Sequence, residues 1–204
     1  MKKNIFIYSF AILLITLLAA FKYSGGVLPI GSNLPKGDLK MKEISNEEIS
    51  MKDAKRKNGL LVMFTCNTCP YVIKNKERTK AICKYALQNN IGVILLNSNE
   101  GDRDGGNSLE AMQLYAKEQN YQWYYVVDRN NEIADAFGAN RTPENFLFDK
   151  NLKLVYHGAI DNNPTDAANV TRQHLKEAMN ELLAGKNISV KESRSMGCAI
   201  KRKW

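Results

Sequence analysis

Apolar residues in this chain gather in short runs separated by polar stretches, and the period of each run predicts an element. Leu60 to Thr65 and Ile91 to Leu96 are nearly continuous apolar runs, the pattern of strands buried on both faces. Trp123 to Val127 predicts a third strand. Leu39 to Ile44 and Glu48 to Ser50 flank the turn-forming Ser45-Asn46 and predict a hairpin. Glu144 to Phe148 and Leu152 to Tyr156 predict another around Asp149-Lys150-Asn151. Helices are expected over Pro70 to Gln88, with proline in the first turn where a missing N–H costs nothing, and over Leu109 to Gln119 behind a Ser108 or Asn107 cap. Glu132 to Phe137, stopped by Gly138, and Val170 to Ala184, capped by Asn169 and stopped by Gly185, complete the set. Lys52 to Lys57 predicts a single helical turn. Strands alternating with helices, then a hairpin and a last helix, predict an α/β three-layer sandwich with a central mixed sheet flanked by helices.

The N-terminus stands apart. Lys2-Lys3 precedes an apolar run of 17 residues, Ile5 to Phe21, which as a helix would span about 25 Å against a bilayer core of about 30 Å. Residues 1–26 therefore read as a signal peptide or an uncleaved membrane anchor, with Ser24-Gly25-Gly26 as the cleavage site. The remainder divides into a linker at 27–37, a domain at 38–190 and a basic tail at 191–204. The expected location is exported: a bacterial periplasm or envelope, where disulfide chemistry is permitted. The 204 residues carry a net charge of +8; removing residues 1–26 takes away three lysines and leaves +5. The remaining excess is largely a short C-terminal run, with no basic patch interleaved with aromatics, so no nucleic-acid partner is expected.

The candidate chemistry lies in Cys66-Asn67-Thr68-Cys69-Pro70, between the first buried strand and the first long helix. A strand ending in C-x-x-C and feeding a helix sets the first thiol at a helix N-terminus, where unpaired N–H groups and the helix dipole stabilise a thiolate. Thiolate is the nucleophile of thiol–disulfide exchange, and thiols three apart can close and reopen a disulfide with little backbone movement. A zinc half-site is the competing reading, but zinc wants a second such pair, and Cys83 and Cys198 stand alone. Cys83 is expected as a buried thiol. Cys198, in the apolar island Met196 to Ile200 of the basic tail, is either a third thiol brought to the centre by a flexible tail or a cysteine packed against the domain. His157 and His174 are expected as surface or packing residues. Asp102 to Asn107 lacks the oxygen ligands of a calcium loop and reads as a solvated loop. Asn169 and Asn187 sit in the short glycosylation pattern, which is weak evidence.

Together these residues resemble the thioredoxin superfamily, and within it the exported redoxin-type (AhpC/TSA-like) branch. The landmarks are Phe64 to Pro70, Arg141-Thr142-Pro143-Glu144 before a strand, and Phe146 to Lys150 running into Leu154 to Gly158. The resemblance implies a cis Thr142–Pro143 bond beside the cysteine pair, with the Thr142 backbone offered as an edge to an incoming substrate segment. It implies a thiol–disulfide oxidoreductase. Cys66 would be the nucleophile and Cys69 the resolving thiol, reducing a disulfide-containing protein substrate and regenerated by an electron-donor thiol protein, with no cofactor beyond the redox disulfide. Thr65 replaces the tryptophan common before the first cysteine, and Asn67-Thr68 replaces Gly-Pro; that dipeptide tunes the thiolate and the direction of electron flow. Two alternatives stay open. A thiol peroxidase would need P-x-x-x-T-x-x-C, but the proline and threonine places hold Gly59 and Met63 counted from Cys66, or Val62 and Cys66 counted from Cys69. A Sco-like copper chaperone would use soft thiolates and an imidazole, with three residues rather than two between its cysteines and a histidine placed differently from His157.

Overall fold

A computed structural model describes residues 26–203. The expected leader at 1–26 falls almost wholly outside the described residues; among those described, no helix is long and apolar enough to cross a membrane.

The centre is a five-stranded mixed sheet. In chain order its strands are β3 (Gly59–Thr65), β4 (Ile91–Asn97), β5 (Tyr124–Val127), β7 (Glu144–Phe148) and β8 (Leu154–Gly158). In space the order is β5-β4-β3-β7-β8. β3 pairs parallel with β4 on one side and antiparallel with β7 on the other, Val62 facing Ile94 and Phe146. Two short strands, β1 (Met41–Lys42) and β2 (Glu48–Ile49), form the expected hairpin.

Side-chain alternation along each strand splits the core in two. Leu61 and Met63 of β3, with Val93 and Leu95 of β4, face α2 (Pro70–Gln88), α3 (Leu109–Glu118) and α5 (His174–Leu183). Leu60, Val62 and Phe64, with Ile94 and Leu96, face α1 (Met51–Ala54) and α4 (Glu132–Phe137). Phe64, Phe137 and Phe146 pack edge to face there, with centroids 5.0–5.6 Å apart. The three-layer sandwich follows: helices cover both faces of strands that are apolar on both faces.

Several expected boundaries move for local reasons. The last helix begins at His174, because Asn162 Oδ1 accepts the N–H groups of Thr171 and Arg172 and holds them out of a helical turn. Asn169 therefore ends a 3₁₀ turn, Ala167–Asn169, instead of capping a helix. β8 starts at Leu154, since Leu152 takes a positive φ of 58° inside the hairpin turn. α1 is one turn, with Ser50 and Asp53 in a reciprocal capping box.

Both terminal segments depart from the expected linker and tail. Residues 27–37 lie along the domain: Leu28 is buried, its N–H donates to Phe137 O, and the Gly31 N–H donates to Leu154 O. Residues 191–203 form a strap. His157 N–H donates to Lys191 O, Ser193 N–H to His157 O, and Ile200 N–H to Asn140 O. Gly158 has a φ of 146°, and a Cβ there would run into Ser193, so the glycine lets the strap lie flat on β8. Two short strands, β6 (Arg141–Thr142) and β9 (Cys198–Ala199), then pair antiparallel, Thr142 opposite Cys198.

Ile200 is 5% exposed and joins the aromatic side of the core. Ile200→Ala should therefore lower the unfolding free energy by about 2–5 kcal/mol, the cost of a buried aliphatic truncation, in a urea titration. A loose tail would give a change near zero.

Candidate active site

β3 delivers the chain to Cys66 at its buried C-terminal end, and α2 begins directly after Cys69. Cys69 is the N-cap and Pro70 the first helical residue. The helix terminus thus belongs to the second thiol rather than, as expected, to the first.

The two residues between the thiols are held by the loop after β4. Asn67 N–H donates to Asn107 Oδ1 at 3.0 Å, and Asn67 Nδ2 donates to Gly106 O at 2.9 Å. Asn107 Nδ2 donates to Thr68 Oγ1, Asn97 Nδ2 to Asn107 Oδ1, and Tyr125 Oη to Asn67 Oδ1. Asn107 is fully buried. The segment 102–107, expected as a solvated loop, is exposed at 104–106 but clamps the C-x-x-C turn through the buried Asn107.

On the other side stands the Thr142–Pro143 peptide, which is cis as the resemblance implied. Cys66 Sγ lies 3.5 Å from Thr142 Oγ1, and Cys69 Sγ donates to Thr142 O at 3.2 Å. The buried Glu144 carboxylate fixes this loop: Oε2 accepts the N–H groups of Asn140 and Arg141 at 2.9 and 3.1 Å, and Oε1 meets His157 Nε2 at 2.8 Å. His157 is a packing residue, stacked on Phe146. Cys83 is fully buried in the core between α2 and the sheet. Glu144 and Asn107 escaped sequence reasoning; the available signal was a carboxylate and an amide, Glu144-Asn145, heading an otherwise apolar strand.

The two thiols of the pair are covered, and Cys198 is partly exposed beside them. Cys66 and Cys69 are 1% and 3% exposed and cluster with Val72, and Tyr71 and Cys198 pack against that cluster. Cys198 thus takes the place expected for a third thiol, held there by strand pairing rather than by a flexible tail. The Thr142 edge, expected to be open to substrate, carries the chain's own β9.

The pair titrates as a unit. The hydrogen bond from Cys66 to Cys69 is the largest influence on each, holding Cys69 down to about 4 and pushing Cys66 far above its ordinary value of 9.0. Burial raises both. Contacts from the Cys198 thiol and the Val72 N–H further favour a Cys69 thiolate, as expected at a helix N-cap. Ionised Cys69 loses its bond to Thr142 O and is repelled by that oxygen, which opposes the fall. The direction stands: one proton leaves the reduced pair early and the second late.

The Redoxin family model matches residues 29–174. The chain belongs to the Redoxin family. It is similar to an uncharacterized conserved protein of Geobacillus kaustophilus, at 28% identity, TM-score 0.81 and coverage of 88% of this chain and 95% of that one. A hypothetical protein of Sinorhizobium meliloti 1021 matches at 27%, TM-score 0.79 and coverage of 88% and 97%. The thioredoxin domain of a thiol-disulfide oxidoreductase of Bacteroides vulgatus shares the fold at 16% identity, TM-score 0.53 and coverage of 64% and 88%. No curated protein matches. This redoxin is thus a thioredoxin-superfamily protein of the oxidoreductase class.

The shared proton predicts a two-step thiolate titration. Absorbance at 240 nm of the reduced redoxin should show a first thiolate with a midpoint well below 9.0 and near 4, absent in Cys69→Ser. Between those pH values the folded state binds fewer protons than the unfolded one, so this group's stabilisation is complete above pH 9 and is lost as pH falls through about 4. Glu144→Ala removes the acceptor of two part-buried N–H groups and should cost about 1–3 kcal/mol in denaturant unfolding.

Proposed function

We propose that this redoxin reduces disulfides of exported proteins through a Cys66/Cys69 dithiol–disulfide cycle. The carrying observation is the buried pair that shares one proton beside the cis Thr142–Pro143 peptide. Cys66 Sγ attacks one sulfur of the substrate disulfide while its proton passes to the Cys69 thiolate. The S–S bond of the substrate breaks, its far sulfur leaves as a thiolate, and a Cys66–substrate mixed disulfide remains. Cys69 then attacks Cys66 Sγ and releases the second substrate sulfur, forming the Cys66–Cys69 disulfide. Two electrons have passed to the substrate, and a donor thiol protein returns them.

Stabilising the Cys69 thiolate stabilises the reduced form and raises the potential. The substrates are accordingly exposed or strained protein disulfides, which have high potentials, rather than deeply stable structural ones. An expected leader at residues 1–26 supports work in a bacterial envelope, through cleavage or through anchorage.

Two features favour exchange over the alternatives. His157, the imidazole of the copper reading, is engaged by Glu144 rather than by the thiols. The peroxidase reading lacks its threonine: Met63 and Cys66 occupy the two candidate positions.

In the Cys69→Ser variant a protein substrate should accumulate as a mixed disulfide on Cys66, and Cys66→Ser should accumulate none through that position. A titration of Cys66–Cys69 against glutathione should give a potential between those of thioredoxin, about −270 mV, and the strong oxidant DsbA, about −120 mV. A value at or above −120 mV would reverse the direction of the cycle.

A further inference from the structure

The strap supplies something the two-thiol cycle does not use. β9 occupies the Thr142 edge in antiparallel register, as an incoming extended segment would. It presents a cysteine, Cys198, directly opposite Thr142, the residue whose carbonyl Cys69 contacts. The approach is close: a Cβ on Gly197 would fall inside the Thr142 carbonyl oxygen, so only glycine lets the strap seat here. The strap is anchored beyond the cysteine as well. Lys201 N–H donates to Asn99 Oδ1 at 3.0 Å, and Arg202 Nη2 donates to Asp135 Oδ1 and Ala139 O at 2.9 Å each. Cys198 is partly exposed, packs against the Cys66–Cys69–Val72 cluster, and is among the groups that favour an ionised Cys69.

Resting on the exchange reading above, we propose that Cys198 is an internal exchange thiol: it accepts the disulfide from Cys66–Cys69 and forms a Cys69–Cys198 bond that returns Cys66 to its thiol form. Cys198, as thiolate, attacks Cys69 Sγ. The Cys69–Cys198 bond forms and the Cys66–Cys69 bond breaks. Cys66 leaves with the electron pair and takes up the proton that Cys198 gave. Oxidation is relocated within the chain without gain or loss of electrons. The disulfide passes from a site 1% exposed to one that includes the more accessible Cys198, where a donor thiol can reach it. The β9 segment is thus a built-in occupant of the substrate edge. A protein substrate displaces it to pair with Thr142, and the Cys69–Cys198 bond holds it in place after turnover.

The test is disulfide mapping of the full-length protein at low concentration. Cys66→Ser, which keeps a hydroxyl donor beside Cys69, is oxidised with diamide and digested with trypsin. The peptides are then read by mass spectrometry without reduction. A Cys69–Cys198 cross-link in most chains is expected, with Cys83 left as a thiol. The same link should fall at least tenfold in Cys66→Ser/Gly197→Val, where the strap is pushed off the Thr142 edge. Cooperative thermal unfolding and unchanged near-ultraviolet circular dichroism establish that each variant is folded. Wild-type protein oxidised in parallel reports the parent cycle. If wild type forms a reversible Cys66–Cys69 bond but folded Cys66→Ser gives only free Cys69 or intermolecular links, the internal exchange is overturned and the two-thiol cycle stands. If oxidised wild type forms neither a reversible Cys66–Cys69 bond nor a Cys69–Cys198 bond, the exchange reading fails and this inference with it.

Discussion

Everything at this centre depends on β3 being buried on both faces. All seven of its residues are buried, so the strand is fixed from both sides by apolar packing and from both edges by hydrogen-bonded neighbours. A strand held that way ends at a defined point in space, and the point is Cys66. β7, on one edge of β3, carries Glu144 at its start and so fixes the approach of Thr142 to the thiols. β4, on the other edge, ends at Asn97, which leads into the loop that clamps Asn67 and Thr68. Both walls of the site are consequences of one strand's neighbours.

The site is also a case of buried polar groups that are satisfied by one another. Burying an unpaired polar group is expensive, yet Asn97, Asn107, Thr142 and Glu144 are all buried here. Each pairs with backbone or with another side chain, and the network leaves the thiols little room to move. In this low-dielectric setting a single hydrogen bond between the two sulfurs separates their proton affinities. The helix terminus adds to the separation on the side of Cys69, because Cys69 and not Cys66 is the cap.

The strap changes what the surface of the molecule offers. A sheet edge with unpaired backbone groups is a template for other strands, and the Thr142 edge would be one. Pairing it with β9 protects the edge and closes the cover over the thiols at once. The same contact that shields the centre brings a third sulfur to it, so protection and chemistry are not separable in this chain.

The sequence by itself determined the fold class and the cysteine pair, which rest on local or periodic signals: apolar runs long enough to be buried strands and a C-x-x-C between strand and helix. The cis Thr142–Pro143 bond followed from the family resemblance that the Thr-Pro landmark carries. α2 was legible to its end residues because Pro70 and Asn89-Asn90 mark them. What only the tertiary structure decided are contacts between residues far apart in sequence. That Cys198 faces Thr142, that Asn107 clamps Asn67, that Glu144 pins Asn140 and Arg141 while bonded to His157, and that Leu28 and Ile200 belong to the core leave little or no local trace. A basic, polar segment reads as a tail because its sequence gives no period; it is held by backbone pairing and one buried isoleucine. The identity of the more acidic thiol was likewise tertiary, since it follows from which sulfur caps the helix and which one donates the shared proton.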